Sequence, residues 1–184
     1  IIDKRNNLNY KDFKNFGLVT MHRPSNVDSQ IILEGIIKMF ISDISKKLHL
    51  LWPMHPRTKN KLKEFNLYND LLDCARITIL HPIDYIEIIK LNSSSSVVFT
   101  DSGGLQEECT ILSTPCLTMR WNTERPITLH ENGGVSVLVG NDINKIKNEF
   151  NQISLNKKDH KRPKYWDGKT ASRCLTEILN YKSQ

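Results

Sequence analysis

The chain has 184 residues, 39% hydrophobic and 25% charged, which is enough for one well-buried domain and marginal for two. Its net charge of +6 sits in short patches such as Lys157, Lys158, Lys161, Arg162 and Lys164. No aromatics interleave with them along one element, so they read as a solvated surface that favours a small anion, not as a nucleic-acid interface.

Residues 1–16 are polar, with Tyr10, Phe13 and Phe16 at regular spacing, and predict a lead-in helix or linker. Gly17–Thr20 reads as a first strand, closed by the polar loop Met21–Asn26. Asn26 or Asp28 is placed to cap the next helix. There Leu33, Ile37, Phe40, Ile44 and Leu48 form one apolar stripe. His49–Trp52 is a second strand, followed by Met54–Arg57 and a basic helix through about Phe65. Ile77–Leu80 is a third strand, and Asp84 caps the helix carrying Ile86 and Ile89. Asn92–Ser96 is a polar connector.

Val97–Phe99 is a buried strand that runs through Asp101-Ser102-Gly103-Gly104 into a helix with Leu105, Cys109 and Leu112 on one face. Cys116–Met119, an irregular Arg120–Pro126 segment, Ser136–Val139 and a helix near Ile143–Ile153 follow. A final helix ends near Leu179.

Strands alternating with helices predict an α/β fold, a Rossmann-like parallel sheet covered on both faces with right-handed crossovers. The division expected is a lead-in over 1–16, a nucleotide-binding domain over 17–165 and a C-terminal helix over 166–184. The polar loops after the strands share one edge of such a sheet, where ligands bind. That edge collects His22, Arg23, His55, Arg57, Ser102, Glu108 and Arg120.

The Asp101–Gly104 turn offers a hydroxyl, backbone N–H groups and the positive end of a helix to a phosphate. The alternative is an ordinary strand-to-helix turn whose glycines serve only geometry. It matches neither GxxxxGK[ST] nor GxGxxG. Glu108, about one turn inside, suits a ribose diol and so a nucleotide diphosphate, or is a surface helix residue. Arg120 can reach a diphosphate with its planar fork, or be solvated. His22, just past a strand end, is a general acid/base candidate or a loop-capping histidine. His55 follows the same logic. No G-x-S-x-G elbow is present. Adjacent Glu107 and Glu108 project about 100° apart on a helix and cannot flank one bond.

Cys74, Cys109, Cys116 and Cys174 have no zinc spacing, so reduced thiols, Cys109 and Cys116 in the core, and no metal are expected. No apolar run reaches membrane-spanning length and no signal peptide is visible, which points to the cytoplasm. Ile1-Ile2 in place of Met suggests a piece of a longer chain.

Thr20–Asn26 (TMHRPSN), Thr100–Glu108 (TDSGGLQEE), Arg120 with Thr123–Pro126 (TERP), Leu138-Val139-Gly140 and Trp166–Lys169 (WDGK) stand in the order and spacing of a known family. Over about residues 15–180 the chain resembles the non-hydrolysing UDP-N-acetylglucosamine 2-epimerases. The resemblance implies a glycosyltransferase-B-like enzyme with two Rossmann-like halves, of which this chain looks like the C-terminal, UDP-binding one. By similarity, Ser102, Gly103, Gly104 and Arg120 would meet the diphosphate and Glu108 the ribose. The His81–Tyr85 turn would line the uracil, with Ile83 the contact expected. His22 would be the active-site histidine. Arg23 and His55 match cleft positions where some members hold a second UDP-sugar.

The family interconverts UDP-GlcNAc and UDP-ManNAc by eliminating and re-adding UDP, as an isomerase without metal or cofactor. Its catalytic carboxylates lie on the N-terminal domain, missing here, so the chain alone would be inactive. A homodimer is expected at full length, serving cell-surface polysaccharide synthesis, with no nucleic-acid or membrane partner. Pro24-Ser25 stands where many members have Arg-Glu. The alternatives are a hydrolysing 2-epimerase, a glycosyltransferase nucleotide domain, or a non-enzymatic nucleotide-sugar binding module.

Overall fold

The computed structural model describes Phe13 and residues 15–153 and 162–181. The expected lead-in over 1–16 lies almost wholly outside the described residues, as do Lys157, Lys158 and Lys161. Six strands form one parallel sheet: β1 (Phe16–Thr20), β2 (His49–Pro53), β3 (Ile77–Leu80), β4 (Val97–Thr100), β5 (Cys116–Thr118) and β6 (Ser136–Leu138). Their order is β3-β2-β1-β4-β5-β6, the doubly wound arrangement expected. The order reverses between β1 and β4, so the crevice beyond their carboxyl ends is the place for a ligand. Thr20 and Thr100 close the two strands opposite one another, and their hydroxyls are 2.7 Å apart.

Both faces of the sheet are covered because alternate strand residues are apolar in both directions. Val19, Leu50, Trp52, Val97, Phe99 and Leu117 enter one core; Phe16, Leu18, Leu51, Val98 and Cys116 enter the other. The first core includes Leu33, Ile36 and Ile37 of α2 (Gln30–Met39) and Ile146 and Phe150 of α7 (Ile143–Gln152). The Phe99 ring meets Phe40 and Phe150 at centroid distances of 5.4 and 5.8 Å. The second core is closed by α5 (Tyr85–Ser94) and α6 (Gly103–Leu112), which contribute Leu91, Leu105 and the buried Cys109.

The five-residue stripe is buried throughout, but α2 ends at Met39 and passes into a π-helical turn over Phe40–Ile44. Neither Asn26 nor Asp28 caps α2. Ser29 holds that position, because Asn26 is drawn into the interior and Asp28 pairs with Arg57 at 2.5 Å. A short helix over Pro24–Val27, α1, precedes it. The basic helix is α3 (Pro56–Glu64), and α4 (Tyr68–Asp73) follows it unannounced, since only Leu71 of its six residues is buried. Asp84 caps α5 as expected, its Oδ1 accepting from the Glu87 N–H at 2.8 Å. α5 runs on to Ser94, so its last residues replace part of the expected connector. The last described helix is α8 (Thr170–Tyr181).

Between β5 and β6 the chain makes two 3-10 turns, Pro126–Thr128 and His130–Asn132. Gly134 closes this loop so tightly that a Cβ there would stand 2.0 Å from the Thr128 carbonyl oxygen. Gly134→Ala is therefore expected to lower unfolding stability by about 1–3 kcal/mol, read as a reduced urea midpoint.

Candidate functional site

The site is assembled on a carboxylate that water does not reach. Asp101 follows β4 and is fully buried. Its oxygens accept from the backbone N–H of His22 at 3.0 and 3.1 Å, of Arg23 at 2.8 Å, and from the Asn26 amide at 3.0 Å. The His22 Nδ1 lies 3.3 Å from Asp101 Oδ1. Asn26 also donates to the Met119 carbonyl at 2.9 Å, beyond β5. One buried charge thus ties together the chain after β1, β4 and β5. Its donors supply what desolvation removes. With Nδ1 turned to Asp101, Nε2 is the His22 nitrogen left for proton transfer.

The next residue, Ser102, caps α6: its Oγ accepts from the Leu105 N–H at 3.5 Å, and its own N–H donates to Thr100 Oγ1 at 3.0 Å. First-turn N–H groups have no acceptor within the helix, so this end attracts anions. A Cβ on Gly104 would meet nothing within 4 Å, whereas one on Gly103 would lie 2.5 Å from the Arg125 Nη1. The Arg125 guanidinium therefore covers the start of α6. Arg120 reaches the same cluster by a different route. Its fork grips the Glu124 carboxylate at 2.7 and 3.3 Å, and Glu124 also contacts Arg125 Nη1 at 2.5 Å. Arg125 Nε lies 3.1 Å from Glu107, on α6 itself. Buried Gln106 anchors this loop, its Oε1 accepting from Thr123 and Thr128 at 2.9 and 3.3 Å.

Glu108, further along α6, hydrogen-bonds the Tyr85 hydroxyl at the start of α5. Partial burial raises the Glu108 carboxyl above its ordinary value; the Tyr85 hydrogen bond opposes this and the Glu107 charge adds to it. The neighbouring Glu108 charge in turn raises the Tyr85 phenol. Half-buried Ile83 packs against the second core beside α5.

The structure brings His22, Ser102, Gly103, Gly104 and Arg120 to the carboxyl edge of the sheet, with Glu108 and Tyr85 farther along on α5 and α6. His55 joins them: its ring stacks on His22 at a centroid distance of 5.1 Å, while its Nδ1 accepts from the Arg57 N–H at 3.1 Å. Arg23 is exposed and contributes its backbone N–H to Asp101. Three participants escaped sequence reasoning. Asp101 reads as a turn residue, and Glu124 and Arg125 sit in a segment without periodicity. The signals available were the charge density of Arg120–Arg125 and the places of all three in the TDSGG and TERP motifs, which named no role for them.

Residues 2–179 match the family model described as UDP-N-acetylglucosamine 2-epimerase. The UDP-N-acetylglucosamine 2-epimerase of Methanocaldococcus jannaschii is 40% identical over 166 residues, 89% of this chain and 44% of that protein. That of Methanococcus maripaludis is 40% identical over 167 residues, 90% of this chain and 44% of that protein. The crystal structure of the Methanocaldococcus jannaschii enzyme in complex with UDP-GlcNAc and UDP superposes with a TM-score of 0.80 at 37% identity, covering 96% of this chain and 49% of that one. The chain spans about half the length of the curated relatives it matches.

Two outcomes follow from this geometry. Asp101→Asn turns an amide N–H toward donors that need an acceptor, and is expected to cost about 2 kcal/mol or more in denaturant unfolding. For Glu108, a carboxyl raised in the folded state contributes favourably below pH 4.5, and that contribution is lost as pH rises through the folded value. Glu108→Gln is therefore expected to be at least as stable as the parent at neutral pH, with the difference vanishing below pH 4.5, measured as urea midpoints across the range.

Proposed function

The chain belongs to the UDP-N-acetylglucosamine 2-epimerase family, and we propose that it is the C-terminal, UDP-holding half of an enzyme that interconverts UDP-GlcNAc and UDP-ManNAc. One observation carries the reading. A single helix, α6, sets its Ser102-capped amino end at the switch point and, less than two turns along, presents Glu108 beside Tyr85. The first feature suits a diphosphate and the second a ribose diol.

In this reading Ser102 and the backbone N–H groups of Gly103 and Gly104 hold the phosphates, with Arg120 and Arg125 supplying positive charge. Glu108 accepts the ribose hydroxyls, and Ile83 lines the uracil. In the forward reaction a base takes the C2 proton while the C1–O bond breaks. UDP leaves with the bonding electrons, and the sugar becomes 2-acetamidoglucal. Negative charge grows on the departing diphosphate, so contacts that strengthen with that charge lower the barrier directly. Re-addition of UDP, with a proton delivered to the opposite face of C2, gives the epimer.

His22, fixed by Asp101, is placed to exchange a proton or to steady the leaving group through Nε2. The carboxylates that act on C2 belong to a second Rossmann-like half. Residues 17–165 are read as the nucleotide-binding unit, with α8 (Thr170–Tyr181) in a separate C-terminal segment beyond it. Arg23 and His55 flank the cleft where a second UDP-sugar would act. The whole enzyme is read as a cytoplasmic homodimer in cell-surface polysaccharide synthesis. None of the described helices is long and apolar enough to cross a membrane.

Calorimetric titration tests the nucleotide site. UDP is expected to bind the chain, and Ser102→Ala and Glu108→Ala each to weaken it about tenfold; equal affinity in all three proteins would refute the site. Incubated alone with UDP-GlcNAc, the chain is expected to release no UDP-ManNAc. Free N-acetylmannosamine with UDP would indicate a hydrolysing enzyme instead.

A further inference from the structure

The cations that face the amino end of α6 are already engaged. Arg120 holds both oxygens of Glu124 in its fork, and the same carboxylate contacts Arg125. Glu124 Oε1 also comes within 3.1 Å of the point where a Cβ on Gly103 would stand. A carboxylate is thus lodged between two arginines and a helix amino end, the environment that a phosphate group requires.

The members of this cluster differ in freedom. The side chains of Arg120 and Arg125 are only 16% and 29% exposed, whereas that of Glu124 is 52% exposed. Arg125 has a second partner, Glu107, which belongs to α6 and keeps the guanidinium over Gly103 whether or not Glu124 is present. The backbone on either side of Glu124 is held as well. Thr123 hydrogen-bonds buried Gln106 and accepts from the Arg125 N–H at 3.1 Å, and Thr128 hydrogen-bonds Gln106 and the Arg125 carbonyl. The Glu124 side chain can therefore leave by rotating about its own bonds, with the loop in place.

We propose that Glu124 is an internal stand-in for a ligand phosphate: it occupies the anion position between Arg120 and Arg125 in the empty site and is displaced when a nucleoside diphosphate binds. The proposal rests on reading the start of α6 as the diphosphate position. Displacement hands two preorganised arginines to the incoming phosphates, and until then Glu124 pairs Arg120, while Arg125 keeps Glu107 throughout. It also makes Glu124 a determinant of affinity, because each diphosphate must compete with it. The Arg120 guanidinium, chiefly, with the Glu124 backbone N–H and Arg125, holds the carboxyl down to about 2, so it is an anion at neutral pH.

The test compares UDP and uridine binding to the parent chain, Glu124→Gln and a control, Glu64→Gln, by calorimetry. Glu64 lies in α3, paired with Lys61, and its replacement makes the same change in net charge. Glu124→Gln is expected to bind UDP about fivefold tighter, with uridine affinity unchanged and the control within about twofold of the parent. If Glu124→Gln binds UDP no better than the parent, Glu124 is a fixed brace for the arginines and the proposal is overturned. An equal gain in the control overturns it too, by making net charge the cause. Absence of UDP binding in all three proteins removes the nucleotide reading itself, and this inference with it.

Discussion

The structure depends on the burial of one carboxylate. An anion withdrawn from water as completely as Asp101 is tolerable only when donors surround it. Those donors come from a different part of the chain, the His22 and Arg23 backbone and the Asn26 side chain. The loop after β1 therefore cannot be placed independently of the turn after β4. Thr20 and Thr100, paired through their hydroxyls one residue earlier, set the two strand ends level. Asn26 carries the tie across to Met119. A crevice at a switch point is a generic property of the fold. Its side chains gain a definite arrangement here because a desolvated charge admits few alternatives.

From that tie the electrostatics divide in two. On one side His22 is oriented by Asp101 and stacked on His55, a pair of imidazole rings at the mouth of the crevice. On the other, Arg120, Glu124, Arg125 and Glu107 form an alternating charge cluster that is balanced within itself. The positive end of α6 is thus masked, not open. The Gly103 backbone lies directly beneath the Arg125 guanidinium, and any other residue there would push it away. Glycine at this position serves close approach of a side chain as much as it serves the turn.

Much of the architecture was legible because it is written in local patterns. Short β-branched and aromatic runs gave strands that the structure places within a residue or so, and their alternation with helices implied a parallel sheet. The strand-end argument gathered His22, Ser102 and Arg120 from distant positions without any contact being known. What escaped depends on burial and on partners. Asp101 lies in a polar turn, where aspartate is ordinary, and nothing local reveals that it faces inward. Asn26 was read as a cap for the same reason; its side chain satisfies both Asp101 and Met119 instead. α4 is only six residues long, too short to show a helical period. Glu124 and Arg125 were visible as charges but not as a pair, since their geometry is set by Gln106 from beneath.

In its proposed binding role, Glu108 shows how function and stability pull apart. Half removed from water and beside Glu107, its carboxylate is held above its ordinary value by burial and by the Glu107 charge, with the Tyr85 hydroxyl opposing them. A residue chosen for folding alone would be neutral at this position. Keeping a carboxylate where ionisation is disfavoured makes sense if a ligand supplies the missing donors. A ribose diol offers two hydroxyls in the geometry that a carboxylate accepts, and in the proposed role it would supply those donors. The same logic governs the neighbouring arginines, except that there the chain provides its own temporary partner. If α6 holds a nucleotide as proposed, the two halves of its position are held ready in opposite ways, one left short of donors and the other filled in advance by a side chain that can be exchanged.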